Sequence, residues 1–233
     1  MAQAEAEGRE LEVLWDWTPG GSSSGQMPLG LSEIWQAPFR ILQAAPPDEP
    51  CLETCHLEPF REFIQDGQFV RHFLRLTLRP KLAERIAAAS ALLSSPIMGV
   101  HIRTSEKHRD MVGLTWFRHR LEQLRLSDPQ CTFYLSADDP VTSMMIHDIF
   151  GPAVIEQSKT YRYDRDGALA HAADLYVLIR YCKRVIGTNC SASSQVVALA
   201  RGAKYNGPSH RPGGVSGGGY EDAWNPPAEG GRG

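Results

Sequence analysis

The sequence has no apolar run near the roughly 20 residues that a membrane-spanning helix needs. Met1–Glu10 is Ala, Gln, Glu and Gly with no apolar core of the secretory-signal kind, so the chain is expected to be soluble. Neither sign of charge is in excess. The 24 Lys and Arg residues stand against 27 Asp and Glu, a formal net charge of -3, which argues against a nucleic-acid binder with a basic face. Cysteine is scarce and odd in number, five in 233 residues, and that reads as free thiols rather than a disulfide framework. Cys51, Cys55 and His56 lie close together, but a fourth zinc ligand at a usual spacing is missing; the alternative is ordinary residues in a Pro-rich connection. Two phosphate-binding signatures are also absent. There is no Gly-rich loop ending in Lys and Ser/Thr, and no G-x-G-x-x-G after a strand, which argues against an ordinary NTPase or dinucleotide dehydrogenase. No internal repeat is evident.

What the chain does have is a globular composition, 42% hydrophobic and 22% charged, enough to bury a core in one large or two small domains. Leu11–Trp15 looks like a short strand. Thr18–Gly30 is a Gly/Ser-rich loop, Leu31–Leu42 fits a short helix, and Ala44–Pro50 breaks whatever precedes it. Phe60–Leu78 is ambiguous between helix and strand. From Pro80 the pattern sharpens. Pro80 suits a first helical turn, Leu82, Ile86, Ala89 and Leu93 follow at helical spacing, and Ile97–Ile102 has the continuous apolar character of a buried parallel strand. Helix and strand then alternate: Leu114–Arg125, Thr132–Ser136, Pro140–Phe150, Ala153–Ile155, Ala168–Cys182, Arg184–Gly187 and Ser191–Arg201. That alternation predicts βαβ units on a parallel, Rossmann-like sheet, an α/β fold. The organisation expected is a partial amino-terminal portion over 1–79, a Rossmann-like domain over 80–207, and a disordered Gly- and Pro-rich tail over 208–233.

In open parallel sheets ligands bind beyond the carboxyl ends of the strands. Three such exits are polar. After Ile97–Ile102 stand Arg103, Thr104, Ser105, Glu106 and Lys107, with His101 inside the strand. Thr132–Ser136 leads to Asp138, Asp139 and Pro140. Arg184–Gly187 leads to Thr188, Asn189, Ser191, Ser193 and Ser194 and into a helix. Backbone N–H groups and hydroxyls at that helix start suit a phosphate, and Arg103 offers a bidentate partner for it. Each feature also has a plainer reading: serine as a helix cap, Asp138–Asp139–Pro140 as a helix start, and His101 as a hydrogen-bonded core residue. Asp174, on the long helix, either faces solvent or points at a ligand. Asp164–Arg165–Asp166 is a D-x-D pair of the type that holds a divalent cation on a sugar-nucleotide diphosphate; here the alternative is a solvated loop.

Gly99–Lys107 (GVHIRTSEK) resembles the G-V-H-x-R-R-T-D-K signature of the α-1,6/α-1,2 and protein O-fucosyltransferase superfamily. Tyr134–Pro140 (YLSADDP) resembles its strand-plus-Asp-Asp-Pro segment, and Asp174–Arg201 resembles its third block. Order and spacing match across about residues 80–205, and Leu11–Ile34 faintly resembles a strand-loop-helix of rhizobial nodulation-type fucosyltransferases. The resemblance implies a GT-B fold, here with an abbreviated amino-terminal portion. It also implies a GDP-fucose donor with no other cofactor, and inverting, metal-independent transfer to a glycan or protein hydroxyl. Carried over, Arg103 would clamp the diphosphate, His101 and Asp174 would contact guanosine, and Ser193, Ser194 and Gln195 would sit at the phosphates. Asp138 and Asp139 would support the nucleotide pocket. The sequence departs from the signature at Thr104, which replaces the second arginine, and at Glu106, which replaces its Asp. Met111 stands where core α-1,6 enzymes place a Glu, so Asp110 and Glu106 are the candidate bases. The competing expectation is a non-catalytic GDP-sugar-binding module. A bacterial-type enzyme or a fragment would be cytoplasmic; one whose leader lies outside this sequence would work in the secretory pathway.

Overall fold

The computed structural model describes residues 12–14, 35–36, 40–42, 77–93, 97–104, 114–162, 164–188, 192–201 and 220–221. In chain order the elements are strands β1 (Glu12–Leu14), β2 (Trp35–Gln36), β3 (Arg40–Leu42) and β4 (Thr77–Leu78), helix α1 (Pro80–Ser90), strand β5 (Ile97–Ile102), helix α2 (Leu114–Ser127), strand β6 (Thr132–Ala137) and helix α3 (Pro140–Phe150). A 3-10 turn (Gly151–Ala153) then leads into strand β7 (Val154–Ile155), helix α4 (Arg165–Arg180), strand β8 (Cys182–Gly187), helix α5 (Ala192–Ala200) and strand β9 (Tyr220–Glu221). The described residues fall into two units, one drawn from 1–89 and 157–174, the other from 90–156 and 175–233. No helix among them is long and apolar enough to cross a membrane.

In the first unit β1 pairs parallel with β3, and β2 pairs antiparallel with β4. The short helix expected over Leu31–Leu42 is therefore replaced by β2 and β3 where the chain is described. Pro38, between them, removes a helical N–H and clashes with the preceding turn. Trp35 and Ile41 add aromatic and β-branched side chains that favour a pleated surface.

The second unit is the five-stranded sheet, in order β7-β6-β5-β8-β9. Its first four strands are mutually parallel, as the alternating pattern predicts. Every residue of β5 is buried, as expected of a central strand covered on both faces. One face carries Met98, Val100, Ile102, Phe133, Leu135, Ala137 and Ile186, which pack against Phe117, Leu121 and Leu124 of α2 and Ile146 of α3. On the other face Gly99 makes room for α4: a Cβ there would lie 2.6 Å from Leu178 Cδ2 and 3.1 Å from Cys182 Cβ. Only a residue without a side chain lets the helix approach that closely.

The chain runs from β5 outward through β6 to β7 and then returns to β8 on the opposite side of β5. The strand order thus reverses between β5 and β8, and their carboxyl ends frame the crevice in which such sheets bind ligands. Tyr220–Glu221 lies within the stretch expected to be disordered, but pairs antiparallel with Ile186–Gly187. The exposed edge of β8 supplies N–H and C=O groups for which a passing aromatic segment is a ready partner.

Candidate functional site

The site grows from the end of β5. His101 and Thr188 are 2% and 0% exposed, and two bonds from Thr188 hold the strand end in place. The Thr188 N–H donates to the His101 carbonyl at 3.0 Å, and the Arg103 N–H donates to Thr188 Oγ1 at 2.9 Å. Across the same junction His101 Nδ1 lies 2.7 Å from Ser194 Oγ, in the first turn of α5. The β8–α5 connection therefore grips β5 by main chain and ring together. Arg103 leaves this frame with its Nε buried and without a hydrogen-bond partner among the described groups. A buried guanidinium N–H left unpaired is costly, and the planar guanidinium suits an oxyanion partner.

On the β6 side the exit of β5 is tied to the start of α3. Asp138 Oδ1 accepts from the Thr104 N–H at 2.8 Å and from its hydroxyl at 3.0 Å. Asp139 caps α3: its Oδ1 accepts from the N–H groups of Val141 and Thr142 at 3.0 and 2.9 Å, with Pro140 in the first turn. Its Oδ2 accepts from the Thr104 hydroxyl. Burial is the largest single influence on the Asp139 carboxyl and pushes its pKa up. The hydrogen bonds from Thr104, Thr142 and Val141 together outweigh it and hold the pKa below the usual carboxylate value. Both acids thus position the strand exit, and Thr104 is turned into their carboxylates.

Asp174, in the first unit, is wholly buried. Lys159 Nζ donates to its Oδ2 at 2.8 Å, with only 5% of the lysine side chain exposed, and the Gln157 amide donates to its Oδ1 and to the Ala170 carbonyl. Asp174 therefore does not face solvent. Of the D-x-D pair, Asp164 Oδ1 accepts from the Gly167 N–H at 2.8 Å and caps α4, while Asp166 pairs with Arg85 at 2.7 Å. Among the described residues no group of three or more His, Cys, Asp and Glu converges as metal ligands would. A cavity of about 550 Å³ in the first unit is lined by Lys81, Glu84, Arg85, Arg165, Asp166 and Leu169. It holds none of the expected nucleotide residues.

The structure thus brings His101, Arg103, Thr104, Asp138, Asp139 and Ser194 to the carboxyl ends of adjacent strands. Ser194, expected beside the phosphates, is wholly buried against His101; Ser193, next to it, is half-buried. Glu106, Asp110, Met111 and the Cys51, Cys55 and His56 cluster lie outside the described residues, as does the side chain of Gln195. Sequence reasoning assigned no role to Thr188, Lys159 or Gln157. Thr188 carries a signal, since a hydroxyl residue ends an apolar strand beside a helix start. Lys159 and Gln157 sit in a polar stretch with nothing to single them out.

No family model and no curated protein sequence matches the chain. Solved structures do. The crystal structure of NodZ α-1,6-fucosyltransferase soaked with GDP-fucose superposes with a TM-score of 0.54 at 18% identity, over 85% of this chain and 85% of that one. The same enzyme co-crystallized with GDP gives 0.53 at 17% identity, over 86% and 84%. Fucosyltransferase NodZ from Bradyrhizobium gives 0.54 at 17% identity, over 86% and 84%. The chain has a GT-B-like fold. At this identity the likeness is one of architecture, and the role of each residue in the GT-B-like chain rests on its own surroundings.

Proposed function

We propose that this GT-B-like chain is a fucosyltransferase-like glycosyltransferase. It takes GDP-fucose, or a related GDP-sugar, and transfers the sugar to a hydroxyl of a glycan or protein, with inversion and without a metal. The observation that carries the reading is Arg103. Its main chain is pinned by Thr188 and its Nε is buried without a partner among the described groups, at the strand-order reversal where such sheets bind nucleotides. A guanidinium there pairs bidentately with a diphosphate and stabilises the charge that grows on it as the sugar leaves. His101 faces the base and Ser193 the phosphates. Asp110 or Glu106 takes the proton of the acceptor hydroxyl while its oxygen bonds to the anomeric carbon. The bond from that carbon to the diphosphate breaks, and its electron pair departs with GDP.

Calorimetric titration with GDP, GDP-fucose and UDP, on wild type and Arg103→Ala, tests the donor site. Micromolar GDP binding, weak UDP binding and loss in the variant are expected; no binding to any of the three ends the reading. A second reading, a GDP-sugar-binding module without turnover, draws on Thr104. Where the fucosyltransferase signature has a second arginine, this chain has a hydroxyl committed to Asp138 and Asp139. Asp110→Asn and Glu106→Gln separate the two readings. A transferase loses turnover in one of them and keeps GDP binding, whereas a module has no turnover to lose.

A further inference from the structure

We infer that Thr188 is a positioning residue for Arg103: its hydroxyl takes the Arg103 N–H and so fixes the main chain from which the guanidinium meets a diphosphate. The diphosphate rests on the reading of the site as a GDP-sugar site; the hold on the main chain does not. The ladder between β5 and β8 ends at the pair His101 and Gly187. Its regular continuation would run from the Thr188 N–H to the His101 carbonyl, and then from the Arg103 N–H to the Thr188 carbonyl. The first of these bonds is made, at 3.0 Å. In place of the second, the Arg103 N–H donates to Thr188 Oγ1 at 2.9 Å. A side chain has taken over a ladder bond at the carboxyl end of β8.

One hydroxyl serves two neighbours. Thr188 Oγ1 accepts from Arg103 and donates its own proton to the His101 carbonyl, 3.4 Å away, so its donor and a lone pair are both used. Thr188 is 0% exposed, and water does not compete for either bond. From the β6 side, Asp138 Oδ1 accepts the next N–H, that of Thr104, at 2.8 Å. Two consecutive N–H groups are thus held by side chains from two different strand exits, and the Arg103 main chain is fixed on both flanks. Arg103 Nε is buried with no partner among the described groups. A cation carried on a fixed main chain loses less freedom when an oxyanion arrives than one on a loose segment. Thr188 thereby acts on the diphosphate through Arg103.

The hold is read without any ligand. Amide hydrogen exchange followed by NMR is expected to show the Arg103 N–H protected in the wild type, unprotected in Thr188→Val, and protected again in Thr188→Ser, which keeps the hydroxyl. Rapid exchange at Arg103 in the wild type overturns the inference, as does unchanged protection in Thr188→Val. Calorimetry separates positioning from a merely structural role. Thr188→Val is expected to weaken GDP roughly fivefold, the worth of one hydrogen bond, and to leave guanosine within about twofold of wild type. Thr188→Ser is expected to restore the GDP affinity. Equal losses for GDP and guanosine, no loss for GDP, or no rescue by Thr188→Ser overturns the proposal. Failure of GDP to bind the wild type would end the functional reading and leave the exchange result to decide the hold on Arg103.

Discussion

Arg201→Met tests how the sheet that carries the site is held together. Arg201 is 6% exposed, and its guanidinium closes the end of α4 and the start of β8. Nη1 donates to the carbonyls of Leu178, Ile179 and Cys182 at 2.9, 3.1 and 2.8 Å, and Nη2 donates to that of Lys183 at 3.0 Å. The carbonyl end of a helix carries partial negative charge, so the cation sits where it is favoured. Methionine keeps the apolar stem and removes every donor. Hydrogen bonds from a charged group contribute about 1.5–3 kcal/mol each, but they are not additive. Breaking a buried charged network typically costs about 3–5 kcal/mol, and about 4 kcal/mol is expected here. For a chain of this size each kcal/mol moves the melting temperature by about 2–4 °C, so thermal unfolding is expected to fall by roughly 8–16 °C. Arg118→Met is the matched control. Arg118 is 57% exposed and pairs with Glu122 one helical turn away, and such a pair contributes about 0.3–0.5 kcal/mol. If differential scanning fluorimetry places Arg201→Met within about 2 °C of Arg118→Met, the carbonyl clamp is not what joins α4 to β8, and the reasoning fails.

Lys159→Met is expected to cost about 3–5 kcal/mol in denaturant unfolding, because it removes the cation paired with the buried Asp174 carboxylate. Lys159→Met with Asp174→Leu is expected to recover most of the loss, and a double variant no better than the single one would contradict the pairing. Asp139→Ala is expected to cost about 1 kcal/mol through loss of the α3 cap. The pH dependence has a definite sign. The folded pKa of Asp139 is depressed, so its contribution is fully present above the unfolded value of about 3.9 and is lost as pH falls through the folded value. Asp139→Asn keeps a capping oxygen and is expected to flatten that acid limb, as followed by circular dichroism across pH; an unaltered limb would assign the dependence to another carboxylate.

Local order along the chain was enough to read the elements of the sheet. β5 spans Ile97–Ile102 and α3 spans Pro140–Phe150, because a continuous apolar run and a proline-started, acid-capped period are short-range signals. The position of the candidate site at the strand exits followed from the same reading, since parallel strands place their carboxyl ends together. Local order also misled. Leu31–Leu42 carries helical spacing, yet β2 and β3 find partners at Thr77–Leu78 and Glu12–Leu14, and pairing over that separation leaves no periodic trace. What each polar residue touches was decided by tertiary structure alone. Ser194 meets His101 across 93 positions, Arg103 reaches Thr188 across 85, and Thr104 reaches Asp138 across 34. Such contacts are set by strand order and by which helix covers which face. The sequence by itself determined an α/β chain with polar strand exits and the residue types found there. Only the reversal of strand order between β5 and β8 brought those exits together, left the Arg103 Nε without a partner among the described groups and turned Ser194 toward the histidine.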